Sequence, residues 1–485
     1  MHFSSQLTLK DALAGCLGFL MLLAVIFDRN SYQTSIEKLN DAPLEVIESD
    51  IAKRNFTIIC HGYAGSNEMM RQLAFDISRA GSNVVLFDFI GHGKSQELLV
   101  NKPEQIEGTT QQLVEQLEAV IKEIRKLFED EVSISLVGHS MASDIVVRAS
   151  KNNNISSVIA ISPYSNAISE DFPKDLLLIS GQLETHLRAS SLDHVVKIDR
   201  SAIENQTVFK ESFRRKASYI DNTGHVSVIY APQTAKEIID WLGLSSNQRT
   251  LATTHIIWVI FAFVLLLRFS TKLLQETKIN GKDQRISMPK ATAVIFAGSV
   301  AGVFFSGFDL KPSTIFGFYN LASFFTAFST ALILIFMWQK LKFYWVFDLW
   351  KFVKLVMLFC GICFFINTFV GFFHLHSYRY LAFIILIVPV TFFCVFSEQI
   401  INGRNQWFVL LIRMTPIIGL IFCIVLYPSK FGLMFTIIPI YCLYFSVFGY
   451  AGKHFRKCAG PLPVGISHGI FLSYAFAATT PMFAP

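Results

Sequence analysis

From residue 251 to the C-terminus the sequence is a succession of apolar runs, rich in Phe, Leu and Ile and separated by short cationic stretches. Each run approaches the roughly 20 residues that an α-helix needs to cross a bilayer core. Eight spans are expected, at about 251–267, 292–308, 315–337, 352–373, 380–396, 407–427, 431–450 and 462–483. In lipid every backbone polar group must be satisfied internally, so this part of the chain is restricted to a bundle of helices. A further apolar run, Ala12 to Phe27, lies near the N-terminus. It ends at Asp28-Arg29-Asn30 with no small-residue cleavage site, so it reads as an uncleaved anchor rather than a signal peptide.

Residues 29–250 are different. They mix charges with short apolar runs, as a soluble domain does. The whole chain is only 16% charged, against about 25% in soluble domains, and the deficit falls after residue 250. Three parts are therefore expected: an anchor over 1–28, a soluble domain over 29–250 and an all-α multi-span membrane domain over 251–485.

The formal net charge of +6 does not imply nucleic-acid binding, because the cations are placed by topology. Arg268, Lys272, Lys278, Lys282, Arg285 and Lys290 follow the second span. Lys340, Lys342, Lys351 and Lys354 follow the fourth. Arg404 follows the sixth, and Lys453, Arg456 and Lys457 follow the eighth. The alternate loops hold only Lys311, Arg379 and Lys430. Cationic loops are retained in the cytoplasm, which puts residues 29–250 outside the cytoplasm and the N-terminus inside. Of eight Cys, only Cys60 lies in the soluble part, so no disulfide framework is expected. Together with the abundance of Phe, Ile, Asn and Lys, this suits a bacterial cytoplasmic membrane. Few polar residues fall within the spans: Asn320, Asn367, Arg413, His468 and Lys354. Lys354 and Arg413 can snorkel from near helix ends. Helix-packing hydrogen bonds are the expected role of His468 and Asn367.

The soluble part alternates strands and helices. Strands are expected at Phe56–Cys60, Asn83–Asp88, Val132–Val137, Ile155–Ile161 and Asp175–Ser180. Helices are expected at Asn67–Ala80, Gly108–Phe128, after Ser140 to about Ser150, and at Thr234–Leu242. That order implies a mostly parallel sheet covered by helices on both faces.

The third strand runs into Gly138-His139-Ser140-Met141-Ala142, and a helix follows. A strand, a Gly-x-Ser-x-small turn and a helix form a nucleophile elbow, in which a tight turn pushes the serine hydroxyl above the sheet. A serine hydroxyl needs a general base. His225, in Asn222-Thr223-Gly224-His225, precedes the last helix. The base needs a carboxylate to fix its tautomer. Glu184 follows a strand in Gly181-Gln182-Leu183-Glu184, with Asp193 and Asp199 as alternatives. The backbone N–H groups of Tyr63 and Met141 are the candidate oxyanion donors. No metal or organic cofactor is implied.

His61-Gly62-Tyr63-Ala64-Gly65-Ser66, Asp88-Phe89-Ile90-Gly91-His92-Gly93-Lys94-Ser95 and Gly138-His139-Ser140-Met141-Ala142 resemble the three signatures of the α/β-hydrolase superfamily, in its order and spacing. The resemblance covers about residues 45–245. It implies Ser140 as nucleophile, Glu184 at the acid position and Gly224-His225 at the base position. Ala142 replaces the usual Gly, and Glu184 the more frequent Asp. Esterases, lipases, thioesterases and peptidases all share this fold, so the fold does not choose the substrate.

With no long insertion between Ile161 and Asp175, the site is expected to be open. The expected activity is hydrolysis of an acyl ester on a lipid, lysolipid, lipid-linked glycan or acylated protein at the membrane. An acyltransferase using the same triad is the near alternative. A transporter or scaffold with an accessory hydrolase is the alternative of a different class, because eight spans exceed what anchoring requires.

Overall fold

The computed structural model describes residues 8–32, 34–39, 42–50, 54–100, 106–128, 132–244, 255–273, 318–338 and 347–484 apart from 371–374 and 376, with 300, 304, 340 and 343–345. The chain divides into two compact units. One is built on Leu22–Ile260, the other on the start of the first helix and the helices from Phe261 onward.

The first unit is a nine-stranded sheet. In chain order its elements are β1 (Thr34–Leu39), β2 (Ala42–Ile47), β3 (Asn55–Cys60), α2 (Asn67–Arg79), β4 (Asn83–Leu86), α3 (Gln111–Phe128), β5 (Ser133–His139), α4 (Met141–Ser150), β6 (Ser157–Ile161), β7 (Asp175–Gly181), α5 (Thr185–Val196), β8 (Thr207–Lys210), β9 (Phe213–Ile220) and α6 (Pro232–Trp241). They follow α1 (Leu9–Asn30). The spatial order is β1-β2-β4-β3-β5-β6-β7-β9-β8. From β4 to β9 every neighbouring pair is parallel. Antiparallel strands finish both edges: the β1–β2 hairpin at one, β8 at the other.

The central strands are parallel because their sequences are continuous apolar runs, buried on both faces. Ile58, Ile59, Leu136, Val137, Ile159, Ile161, Leu177 and Ile179 are all buried. The α2 helix covers one face with Met70, Leu73, Phe75 and Ile77, joined by Ile238 and Ile239 of α6. On α3, Leu113, Leu117, Val120, Ile121 and Ile124 form a buried stripe at helical spacing. The end of α1 is tied into this unit by Asp28 to Arg79 (2.6 Å), Arg29 to Glu68 (3.2 Å) and Tyr32 stacked on Phe75.

The hairpin, β8 and α5 extend the expected set of elements. The β9 strand, Phe213–Ile220, leads into the loop that carries His225.

The second unit is helical. Its helices are α7 (His255–Leu273), α8 (Phe318–Trp338), α9 (Leu349–Val370), α10 (Ser377–Ile401), α11 (Gln406–Leu426), α12 (Ile437–Ala459) and α13 (Pro461–Thr479). Among the described residues, five helices are long and apolar enough to cross a membrane: Leu9–Asn30, Phe318–Trp338, Tyr378–Ile401, Gln406–Leu426 and Pro461–Thr479. Shorter apolar stretches lie at Ile257–Ser270 and Met434–Ser446. Apart from residues 300 and 304, the span expected at 292–308 lies outside the described residues, as do the cations Lys278, Lys282, Arg285, Lys290, Lys311 and Lys342 and the side chain of Asn367.

The α13 helix packs against α10 at backbone distance. A Cβ on Gly469 would lie 2.3 Å from the Cα of Thr391, and one on Gly465 2.5 Å from the Cα of Val395. Arg379 is buried and donates to the carbonyls of Ala477, Ala478 and Thr480, capping the end of α13. Several cation assignments change: Arg268 and Lys272 lie on α7, Lys351 on α9 and Arg379 on α10 rather than in loops between spans. Lys453, Arg456 and Lys457 lie on α12 rather than in a loop. Arg413 is buried in an ion pair with Glu398 instead of snorkelling.

Candidate active site

The β5 strand ends at His139, and α4 begins at Met141. One residue must make the whole turn, and Ser140 does so at φ 54°, ψ −116°. Such a conformation is costly for a residue with a Cβ and persists only where the surroundings enforce it. The surroundings are close. A Cβ on Gly138 would lie 2.3 Å from the carbonyl oxygen of Ala142, so strand and helix nearly touch. Ala142 itself is fully buried. The Ser140 N–H donates to the Ile161 carbonyl at 2.9 Å, holding the turn against β6.

Ser140, His225 and Glu184 come together from three separate loops. His225 Nε2 is 2.8 Å from Ser140 Oγ, and His225 Nδ1 is 2.6 Å from Glu184 Oε1. The Glu184 Oε2 accepts from the Gly181 N–H at 2.6 Å and from Ser162 Oγ at 2.8 Å. Burial pushes the Glu184 carboxyl up, but hydrogen bonds from His225, Gly181 and Ser162 outweigh it and hold the group below the ordinary carboxylate value. It therefore stays an acceptor toward His225 Nδ1–H, leaving Nε2 to face the serine. Asp193 and Asp199 are not part of this arrangement. Asp193 is exposed on α5, and Asp199 bonds Ser201.

Two contributors were not singled out from the sequence. His139 Nε2–H donates to the main-chain carbonyl of His225 at 2.7 Å. Burial holds its imidazole down at about 4, so it is neutral at pH 7. Ser162, at φ 49°, follows β6 directly and delivers its hydroxyl to Glu184. The positive φ marks a second strained turn beside the first.

The remaining signatures brace the site. A Cβ on Gly62 would lie 3.1 Å from the Cβ of Ser140, tighter than ordinary contact, so the backbone leading to Tyr63 runs close against Ser140. His61 Nδ1–H donates to the Gly62 carbonyl at 2.8 Å, and its Nε2 accepts from the Phe89 N–H at 3.0 Å. Asp88 accepts from the N–H groups of Asn67 (2.7 Å) and Lys94 (2.9 Å), joining the two loops. Met141 is the first residue of α4.

The loop between β6 and β7 is anchored from β9. The Arg215 side chain, fully buried on β9, donates to the carbonyls of Ser169 and Pro173 within it. The His225 side chain is 47% exposed, so the site is open from this unit. Leu183 and Val226, the chain neighbours of Glu184 and His225, and Tyr164, two residues beyond Ser162, carry exposed large side chains. Among the described residues no His, Cys, Asp and Glu cluster could hold a metal ion.

Residues 52–229 match the sequence profile of a family described as serine aminopeptidase, S33. The match contains β3 to β9 and all three residues of the hydrogen-bonded chain. This domain is a serine hydrolase of the α/β-hydrolase fold. A comparison with curated proteins returned no match. Among solved structures, the hydrolase aligns with an alpha-beta serine hydrolase homologue from Coxiella burnetii at 18% identity, covering 43% of this chain and 95% of that one, with a TM-score of 0.31. It also aligns with a soluble variant of monoglyceride lipase from Saccharomyces cerevisiae, at 10% identity, 46% and 96% coverage and a TM-score of 0.33. A serine hydrolase without a lid from Xanthomonas campestris aligns at 16% identity, 47% and 94% coverage and a TM-score of 0.32.

Proposed function

We propose that the chain is a multi-pass membrane serine esterase, which cleaves an acyl ester of a lipophilic substrate at the extracytoplasmic bilayer surface. The reading is supported above all by the apolar rim. An exposed Ser–His pair flanked by Leu183, Val226 and Tyr164 offers a wet nucleophile beside a greasy edge. Apolar side chains left in water at a site favour contact with acyl chain or lipid. The apolar helices supply a reason for such a substrate to be nearby.

In this mechanism Ser140 Oγ attacks the ester carbonyl carbon while His225 Nε2 takes its proton. Glu184 stabilises the imidazolium. The oxyanion is held by the N–H groups of Met141 and Tyr63. The alkoxide leaves with the proton from His225, giving an acyl-enzyme. Water, deprotonated by His225, then releases the acid and restores Ser140.

The test is a chain-length series of p-nitrophenyl esters with wild type and an L183D/V226D variant. Preference for long acyl chains that collapses in the variant, with short-chain turnover retained, is the expected result. A preference for short chains, unaffected by the variant, would exclude a lipophilic substrate.

A further inference from the structure

Glu398 lies near the end of α10, two residues beyond the apolar run read from the sequence as a span, and it is 1% exposed. It is the only acidic side chain between Leu349 and Pro485. Arg413 of α11 donates to Glu398 Oε1 at 2.7 Å, and Arg456 of α12 donates to Oε2 at 2.5 Å. Both arginines are buried. One carboxylate thus faces two guanidinium groups, a buried excess of one positive charge. A buried charge without a counter-charge is strongly disfavoured, the more so among apolar helices.

His468 of α13 completes the cluster. It is 0% exposed, and its Nδ1 is 3.0 Å from the Tyr444 hydroxyl. Its Nε2 is buried with no hydrogen bond to a described residue, 3.9 Å from Glu398 Oε1.

The spare donors converge. At Gly452 of α12, the three atoms nearest the point a Cβ would occupy are Arg456 Nη1 (3.4 Å), Arg413 Nη2 (3.5 Å) and His468 Nε2 (3.5 Å). Each Nη carries two hydrogens, one spent on Glu398. The glycine keeps that niche clear of a side chain. A proton relay is the lesser fit, because a carboxylate clamped by two guanidinium groups is a poor proton carrier.

We propose that this niche binds one oxyanion, which accepts hydrogen bonds from Arg413, Arg456 and His468 and balances the buried charge. A phosphodiester headgroup of an anionic lipid and a free phosphate share this chemistry. The inference rests on the helical unit alone and is independent of the esterase reading.

The test uses the full chain in phosphatidylcholine nanodiscs, with thermal unfolding followed as either phosphatidylglycerol is included in the disc or inorganic phosphate is added. One of the two additions is expected to raise the wild-type midpoint by several degrees. A response to the lipid alone assigns a headgroup, and one to phosphate alone assigns a free anion. Arg456→Gln leaves a balanced Glu398–Arg413 pair, so it should fold and lose the response. If Arg456→Gln does not fold, His468→Gln keeps both ion pairs and should raise the half-saturating anion content about tenfold. No wild-type response to either addition would overturn the proposal. So would a response of equal size in Arg456→Gln, or an unchanged half-saturation in His468→Gln, since surface cations would then be the cause.

Discussion

His139, the residue before Ser140, donates its Nε2–H to the main-chain carbonyl of His225 at 2.7 Å. The β5 strand therefore holds the His225 loop directly, through a side chain outside the Ser140–His225–Glu184 hydrogen-bonded chain. His139→Ala should leave the fold intact and lower kcat/KM by about 10- to 100-fold, since a loop misplaced by about 1 Å costs that much. Steady-state kinetics on a short-chain ester, with circular dichroism as the fold control, checks this.

Burial at His139 also predicts an acid-sensitive domain. The folded-state value is about 4, against about 6.5 when unfolded. Between these values the unfolded chain binds the proton and the folded one does not, so stability falls on acidification from about pH 6.5 to about 4 and is fully present above. The loss is on the order of 3 kcal/mol. Burial lowers His61 as well, and its contribution has the same sign. Urea midpoints by intrinsic fluorescence across this range should show the slope, and His139→Gln should flatten it.

The Glu184 carboxylate is held ionised by three hydrogen bonds, so it stays charged below the ordinary carboxylate range. Glu184→Gln should lower kcat by about 10³- to 10⁴-fold through loss of the correct His225 tautomer. Ser162→Ala removes one of the three bonds and should cost about threefold to tenfold, from a net hydrogen-bond worth of about 1 kcal/mol. Single-turnover acylation rates separate the two.

At the elbow, the closeness of Gly138 to the Ala142 carbonyl predicts an asymmetry. Gly138→Ala places a methyl 2.3 Å from a main-chain oxygen and should abolish folded, active protein. Ala142→Gly should keep activity within about threefold and cost about 1 kcal/mol of stability, the usual effect of glycine in a helix. Expression yield and thermal midpoints read both.

The parts of the site that were legible in the sequence are those that local sterics dictate. Gly138, Ser140 and Ala142 are forced by one tight turn, and β3 to β7 announce themselves as continuous apolar runs. Glu184 is legible from its position after a strand, with Asp193 and Asp199 as alternatives, and His225 from its position before the last helix; the hydrogen-bonded chain contains Glu184 and His225. His139 and Ser162 were not legible as contributors, because their roles rest on contacts with residues far along the chain. The β1–β2 hairpin carries only short alternation interrupted by Pro43, and α5 buries little beyond Ser191 and Val195, too little for an amphipathic signal. Glu398 escaped notice because the apolar pattern stops at Phe396 while the helix runs on to Ile401.

The central claim is that Ser140 is an activated nucleophile, and labelling with a fluorophosphonate probe in purified membranes tests it most directly. Wild type should label covalently, and Ser140→Ala should not. A folded, membrane-inserted wild type that fails to label, or a Ser140→Ala variant that labels as well as wild type, would contradict the account.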